Sequence, residues 1–192
     1  MKNVQLQFTA LQRTLHWVMA ICILTMLFVG VGMVSTIKPQ YLTLVSLHKP
    51  LGIVILGLAV LRLIVRWRYG APPLPSDMPE SMKLAARLSH ILFYLLMVAM
   101  PLIGWAMLSA ADYPVVVAGI QLPAVLSPNP EMHSMLWNAH RLLAFCFFAL
   151  ILLHLAAALF HALVRRDGVF DAMTPFPDHP RSDSESVARR DD

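Results

Sequence analysis

Of the eight histidines in the 192-residue chain, His16, His48, His90, His140, His154 and His161 fall in or beside long apolar runs. Ionisable side chains at membrane depth are rare and by default mark a functional site. One such histidine reads as a hydrogen-bonded packing residue, but this many do not. Neutral imidazole is a metal ligand and a proton carrier, and the spacing favours the metal. His140 and His154 lie 14 residues apart in one run. On a helix that spacing returns to within about 40° of the same face and separates the rings by about 21 Å. The two rings are too far apart to share one ion. They suit two cofactors stacked through a bilayer, each with a second ligand from another helix.

The elements that position these rings follow from composition. The chain is 58% hydrophobic and 14% charged, with a mean hydropathy of +0.65, against about 45–50% apolar and about 25% charged for soluble domains. A soluble enzyme, a disordered protein and a secreted disulfide scaffold are all excluded. Residues 14–37, 88–111 and 142–164 contain no charged side chain, and a spanning helix needs about 20 mostly apolar residues. A fourth apolar run from Ser46 to Ile64 is interrupted near its end by Arg62. The expected fold is an all-α integral membrane bundle of four transmembrane helices, with spans at about 14–36, 46–66, 88–110 and 138–164. These form one domain, 8–175, followed by a polar tail, 176–192, expected to be disordered. The first span is too long for a signal-peptide core, and Gly30-Val31-Gly32-Met33 makes a poor cleavage site, so the mature chain is expected to keep it.

The net charge of +4 and pI of 9.4 are read as topology, with no call for nucleic acid. Four spans put both termini on one side. That side carries Lys2, Arg13, Arg66, Arg68, Lys83, Arg87, Arg165, Arg166, Arg181, Arg189 and Arg190, and the other carries Lys38, Lys49 and Arg141. The positive-inside rule then predicts cytoplasmic termini. Gly70-Ala71-Pro72-Pro73-Leu74-Pro75 is a helix-breaking cytoplasmic connector. The longest loop, 112–131, faces outside and is expected to hold a reverse turn or a surface helix.

Depth then pairs the rings. His48 and His140 lie near the outer ends of their helices, and His16 and His154 lie in the inner half. Two haems, each between two histidines inside a four-helix bundle, satisfy this layout. Spacing alone leaves the inner pair open, because His161 and His90 sit at comparable depth to His154. Haem propionates need cations. Arg62 lies 14 residues after His48 and is expected to meet an inner propionate, the alternative being snorkelling to the headgroups. Arg13 is a second inner candidate, and Lys49 and Arg141 are outer ones. No C-x-x-C-H motif is present, so the haems are non-covalent. Cys22 and Cys146 read as packing residues, and no closed zinc site is offered.

A resemblance is carried by Leu15-His16-Trp17, Leu47-His48-Lys49-x-Leu51-Gly52, His90-x-x-x-Tyr94-Leu95-Leu96 and Pro101-Leu102-x-Gly104. His140, His154 and His161 follow, the last before Arg165-Arg166-Asp167-Gly168-Val169. Over residues 8 to 175 the chain resembles the bacterial cytochrome b561 family, four-helix inner-membrane proteins with two b haems. Asp171 departs from it, since relatives are usually more basic there. The resemblance implies His16, His48, His140 and His154 as axial ligands, and so prefers His154 to His161. It leaves His90 and His161 as candidates for a proton or quinone site, or for plain interfacial hydrogen bonding.

The implied function is single-electron transfer through the membrane, exchanging with the quinone pool on one side. The outer partner is a small molecule such as superoxide, or a protein. The alternatives are an electron-carrier subunit of a larger dehydrogenase or hydrogenase, and a non-haem transporter that uses its histidines for protons.

Overall fold

The computed structural model describes residues 7–36 and 39–174. The expected disordered tail, and the cations Lys2, Lys38, Arg181, Arg189 and Arg190, lie outside the described residues.

Among the described residues, four helices are long and apolar enough to cross a membrane: α1 (Ala10–Ser35), α2 (Gln40–Tyr69), α3 (Glu80–Ala110) and α4 (Pro130–Leu159). Charge boundaries under-read their lengths. α2, α3 and α4 begin six to eight residues before the expected spans, because a helix continues into the headgroup region once its backbone is paired. Pro50 and Pro101 sit inside α2 and α3 without ending them, as neighbouring helices allow in a membrane.

Local signals set the ends. Thr9 and Gln12 form a capping box: Thr9 Oγ1 accepts from the Gln12 N–H at 3.3 Å, and Gln12 Oε1 accepts from the Thr9 N–H at 3.0 Å. α2 ends at Gly70, whose φ of 70° favours glycine. Asn129 caps α4 by accepting from the Met132 N–H at 3.0 Å, with Pro130 in the first turn. α4 then continues as a π-helical turn, Phe160–Arg165, that stops at Arg166 in the left-handed region.

The loop between α3 and α4 folds as a two-residue hairpin, the reverse-turn form of the expectation. β1 (Val116–Val117) pairs antiparallel with β2 (Ile120–Gln121). Ala118 and Gly119 turn it with φ of 50° and 81°, as a type I′ turn requires. The loop is pinned to the bundle. Lys49 Nζ donates to the Pro114 carbonyl at 3.2 Å, and Trp105 Nε1 donates to the Pro123 carbonyl at 3.1 Å. This is the hairpin end.

The opposite end gathers the two ends of the described residues and the α2–α3 linker. The Phe8 N–H donates to the Ala172 carbonyl at 3.2 Å. Trp17 Nε1 donates to the Met173 carbonyl at 2.9 Å. Buried Gln12 donates through Nε2 to the Gly70 carbonyl at 2.8 Å. This is the terminal end.

Packing is uneven around the bundle. α1 packs closely on α2, α2 on α3, and α3 on α4, while neither α1 nor α2 packs comparably against α4. At mid-depth a buried layer of Met19, Ala59, Leu96, Met97, Phe147 and Leu150 draws on every helix. Phe147 is midway between His140 and His154, seven residues from each, so this apolar layer separates the two histidine levels.

Candidate functional site

Across the loosely packed faces the histidines meet. At the hairpin end His48 of α2 faces His140 of α4, with ring centroids 6.2 Å apart and planes at 65°. At the terminal end His16 of α1 faces His154 of α4 at 6.3 Å and 64°. Both residues of α4 lie before its π-helical turn, so they keep the uninterrupted α-helical register that brings them to one face.

Hydrogen bonding separates three of these four rings from ordinary packing histidines. Ring nitrogens of His16, His48 and His140 are buried without a hydrogen-bond partner. The Met100 carbonyl lies beside the His140 ring without closing a bond of ordinary geometry. An unmet buried polar group costs about 1–3 kcal/mol, so such rings call for an explanation. His133 and His161 behave otherwise. His133 Nδ1 lies 3.0 Å from the Met107 carbonyl, and His161 Nδ1 lies 2.8 Å from Asp167 Oδ2.

The separations fit a metal held between rings. With a metal–nitrogen bond of about 2 Å, two imidazoles on opposite sides of one ion have centroids roughly 6 Å apart. Helix spacing makes room for this. Gly104 of α3 lies against His140, and a Cβ there would meet ring atoms at 3.3 and 3.6 Å. No group of three or more His, Cys, Asp or Glu is arranged to hold one ion among the described residues, so the arrangement is one of pairs.

His90 complicates the terminal end. Its ring centroid lies 6.4 Å from that of His154, so separation alone does not choose between His16 and His90. Their surroundings differ: His90 is exposed, whereas His16 is half-buried with an unpartnered buried ring nitrogen.

The candidate cations take different roles. Arg62 reaches the terminal-end cluster, with its guanidinium 6.0 Å from the Tyr94 ring centroid and Nη1 3.9 Å from Met19 Sδ. Arg13 donates to the Phe8 carbonyl at 2.9 Å and holds the N-terminal segment. Lys49 holds the hairpin loop. Arg141 is exposed beside His140.

Seven residues of unbroken α-helix would put His161 on the face of His154. The π-helical turn starts at Phe160 and changes the register, and the ring pairs with Asp167 instead. Arg165 Nε also donates to Asp167 at 2.8 Å, and its Nη2 donates to Asp77 at 3.0 Å. Burial pushes the Asp167 carboxyl up, but the hydrogen bonds from Arg165, His161 and the Val169 N–H outweigh it and hold its pKa below the usual carboxylate value.

Sequence reasoning missed Arg66, Tyr94 and Gln12, which line a cavity with Arg62 and His90. The available signal was the four-residue spacing of Arg62 with Arg66 and of His90 with Tyr94. It also missed His133, seven residues before His140 on the same helix.

Comparison with known proteins gives these pairs a context. The profile of the prokaryotic cytochrome b561 family matches residues 7–176. Cytochrome b561 homolog 1 of Escherichia coli strain K12 is 29% identical over 177 residues, covering 88% of this chain and 97% of its own. Cytochrome b561 homolog 2 of the same strain is 30% identical over 177 residues, covering 89% and 93%. The probable superoxide oxidase CybB of Yersinia pestis is 34% identical over 130 residues, covering 67% and 73%. A multi-pass membrane protein with a histidine-rich interior, matched along nearly its whole described length, this chain belongs to the prokaryotic cytochrome b561 family, the haem-binding electron-transfer cytochromes of the membrane.

Proposed function

We propose that the protein is a transmembrane di-haem cytochrome b that carries single electrons across the bacterial inner membrane and exchanges them with the quinone pool. The observation that carries this reading is the pair of facing imidazoles at each of two levels, His48 with His140 and His16 with His154. Both pairs bridge helix faces that do not pack closely.

In this reading the four histidines hold one haem b at each level through both axial positions. Each bound haem supplies one-electron exchange between ferric and ferrous iron. The chain supplies the rest. α4 sets the two levels about 21 Å apart, and the Phe147 layer keeps water out between them. Low dielectric and nearby cations set the potentials. Arg62 serves the terminal-end haem, with Arg13 near it. Lys49 and Arg141 lie at the other level. His90 and His161, at the terminal end, are the candidates to take up or release protons when a quinone is reduced or oxidised.

Both termini lie in the cytoplasm on this reading, which places the hairpin end outside. A small redox partner there is the favoured kind, because one relative carries the name of a probable superoxide oxidase. Reduction of the purified protein by a quinol analogue, with no second protein added, tests the function. Fast reduction of both haems is expected. Reduction only after addition of a partner enzyme would assign the chain to a larger dehydrogenase or hydrogenase complex, and absence of haem would leave the transporter.

A further inference from the structure

Beside the terminal-end pair lies a cavity of about 50 Å³ built from spaced residues of three helices. α2 contributes Arg62 and Arg66, α3 contributes His90 and Tyr94, and α1 contributes Gln12. Each two-residue set is four apart, so each presents one helix face. Phe8 and Met173 complete the wall, and both segments are tied in place. The Phe8 N–H donates to the Ala172 carbonyl, and the Trp17 indole donates to the Met173 carbonyl.

The cavity has two cations and no anion. Arg66 lies 5.4 Å from the Phe8 ring centroid, and Arg62 lies 6.0 Å from that of Tyr94. Among the described residues neither forms an ion pair. The acidic groups that do so, Glu80, Asp77 and Asp167, pair with Lys83, Arg165 and His161. Like charges one helical turn apart repel, and an arginine at membrane depth normally finds a partner. Guanidinium matches carboxylate geometry with two parallel hydrogen bonds.

We propose that Arg66 and Arg62 form a carboxylate clamp that takes the propionates of the terminal-end haem in this cavity. The inference rests on the axial reading above and adds Arg66, with Tyr94 and Gln12 as neutral donors in the same wall. Position favours this occupant over a lipid phosphate. His90 lines the cavity and its ring is 6.4 Å from that of His154, and Phe8 and Met173 close it where the two ends of the described residues meet.

Redox titration of the full-length protein tests it, with His140→Ala assigning which potential belongs to the terminal-end haem. A nearby cation favours the reduced, less positive haem. Arg66→Gln is therefore expected to lower the terminal-end potential and leave the other unmoved. Arg66→Lys keeps the charge and is expected to recover most of the shift. Arg68→Gln removes a charge from the exposed side of the same helix and is expected to move neither potential. Two unmoved potentials in Arg66→Gln would overturn the clamp while leaving the axial ligands standing. Loss of a bound phospholipid from Arg66→Gln by native mass spectrometry, with both potentials unmoved, would overturn it in favour of a phosphate. If Arg66→Gln does not assemble, a terminal-end potential slightly lowered in Arg66→Lys and unmoved in Arg68→Gln supports the clamp, and an unmoved potential in Arg66→Lys or a larger drop in Arg68→Gln overturns it. A wild-type protein with no haem at the terminal end would overturn the axial reading and the clamp together.

Discussion

The two histidine pairs are nearly identical in themselves and unlike in their surroundings. Centroid separations are 6.2 and 6.3 Å, and interplanar angles are 65° and 64°. At the hairpin end, the His140 ring lies against backbone: Gly104 on one side and the Met100 carbonyl nearby. At the terminal end, His16 has Trp17 at 5.5 Å, and His154 has Phe93 at 5.1 Å and His90 at 6.4 Å. Arg62 and Arg66 stand beside them. Equal ring geometry with unequal charge teaches that, on the proposed reading, the pairs would set where electrons rest and their neighbours at what potential. The chain spends its rare membrane-depth charge at one end, so the two levels are expected to differ in potential and in response to mutation.

The largest effect separates the pairs outright. His140→Ala is expected to halve the haem content and spare the terminal-end haem, and His154→Ala to do the reverse, by pyridine haemochrome assay. Loss of a haem in His161→Ala, with two kept in His154→Ala, would move the terminal-end ligand. A smaller effect probes the electrostatic asymmetry. Arg62→Ala is expected to lower only the terminal-end potential, and unchanged potentials at both levels would end its propionate role.

A packing change sharpens the other side of the comparison. Gly104→Ala places a Cβ 3.3 Å from His140 Cε1, which the ring must yield to by a few tenths of an ångström. Overpacking of this kind costs about 1–3 kcal/mol. The electron paramagnetic resonance signal of the hairpin-end haem is expected to shift, with the other signal fixed. A shift in the terminal-end signal would contradict the separation of the levels by the Phe147 layer.

The smallest effect lies outside the spans. Asp167 is held below the usual carboxylate pKa by Arg165, His161 and the Val169 N–H. A depressed folded pKa adds stability above the unfolded pKa, and that stability is lost as pH falls through the folded one. Asp167→Asn is therefore expected to melt at a lower temperature than wild type near pH 7. The gap should close below the ordinary carboxylate range. A gap independent of pH would mean that the turn depends on shape and not on charge.

Spacing made much of this readable. Three charge-free runs and the apolar run interrupted by Arg62 located the four helices, because a bilayer excludes charge. The 14-residue interval from His140 to His154 fixed two levels, because α4 stays α-helical through both. What escaped has physical causes. The π-helical turn broke the seven-residue relation of His161 to His154, and no side-chain pattern announces a change of helical pitch. Arg66 read as a topology charge, since its approach to Arg62, Tyr94 and Gln12 depends on three helices meeting. The hairpin lacked an Asn-Gly signature: Ala118 occupies a left-handed position that asparagine or glycine more often fills.

The central claim is that two histidine pairs hold two haems, and haem stoichiometry combined with low-temperature paramagnetic resonance tests it most directly. Wild-type protein is expected to carry two low-spin b haems per chain, each of His16→Ala and His48→Ala one, and the double variant none. One haem in the wild type, or two retained in either single variant, would contradict the account.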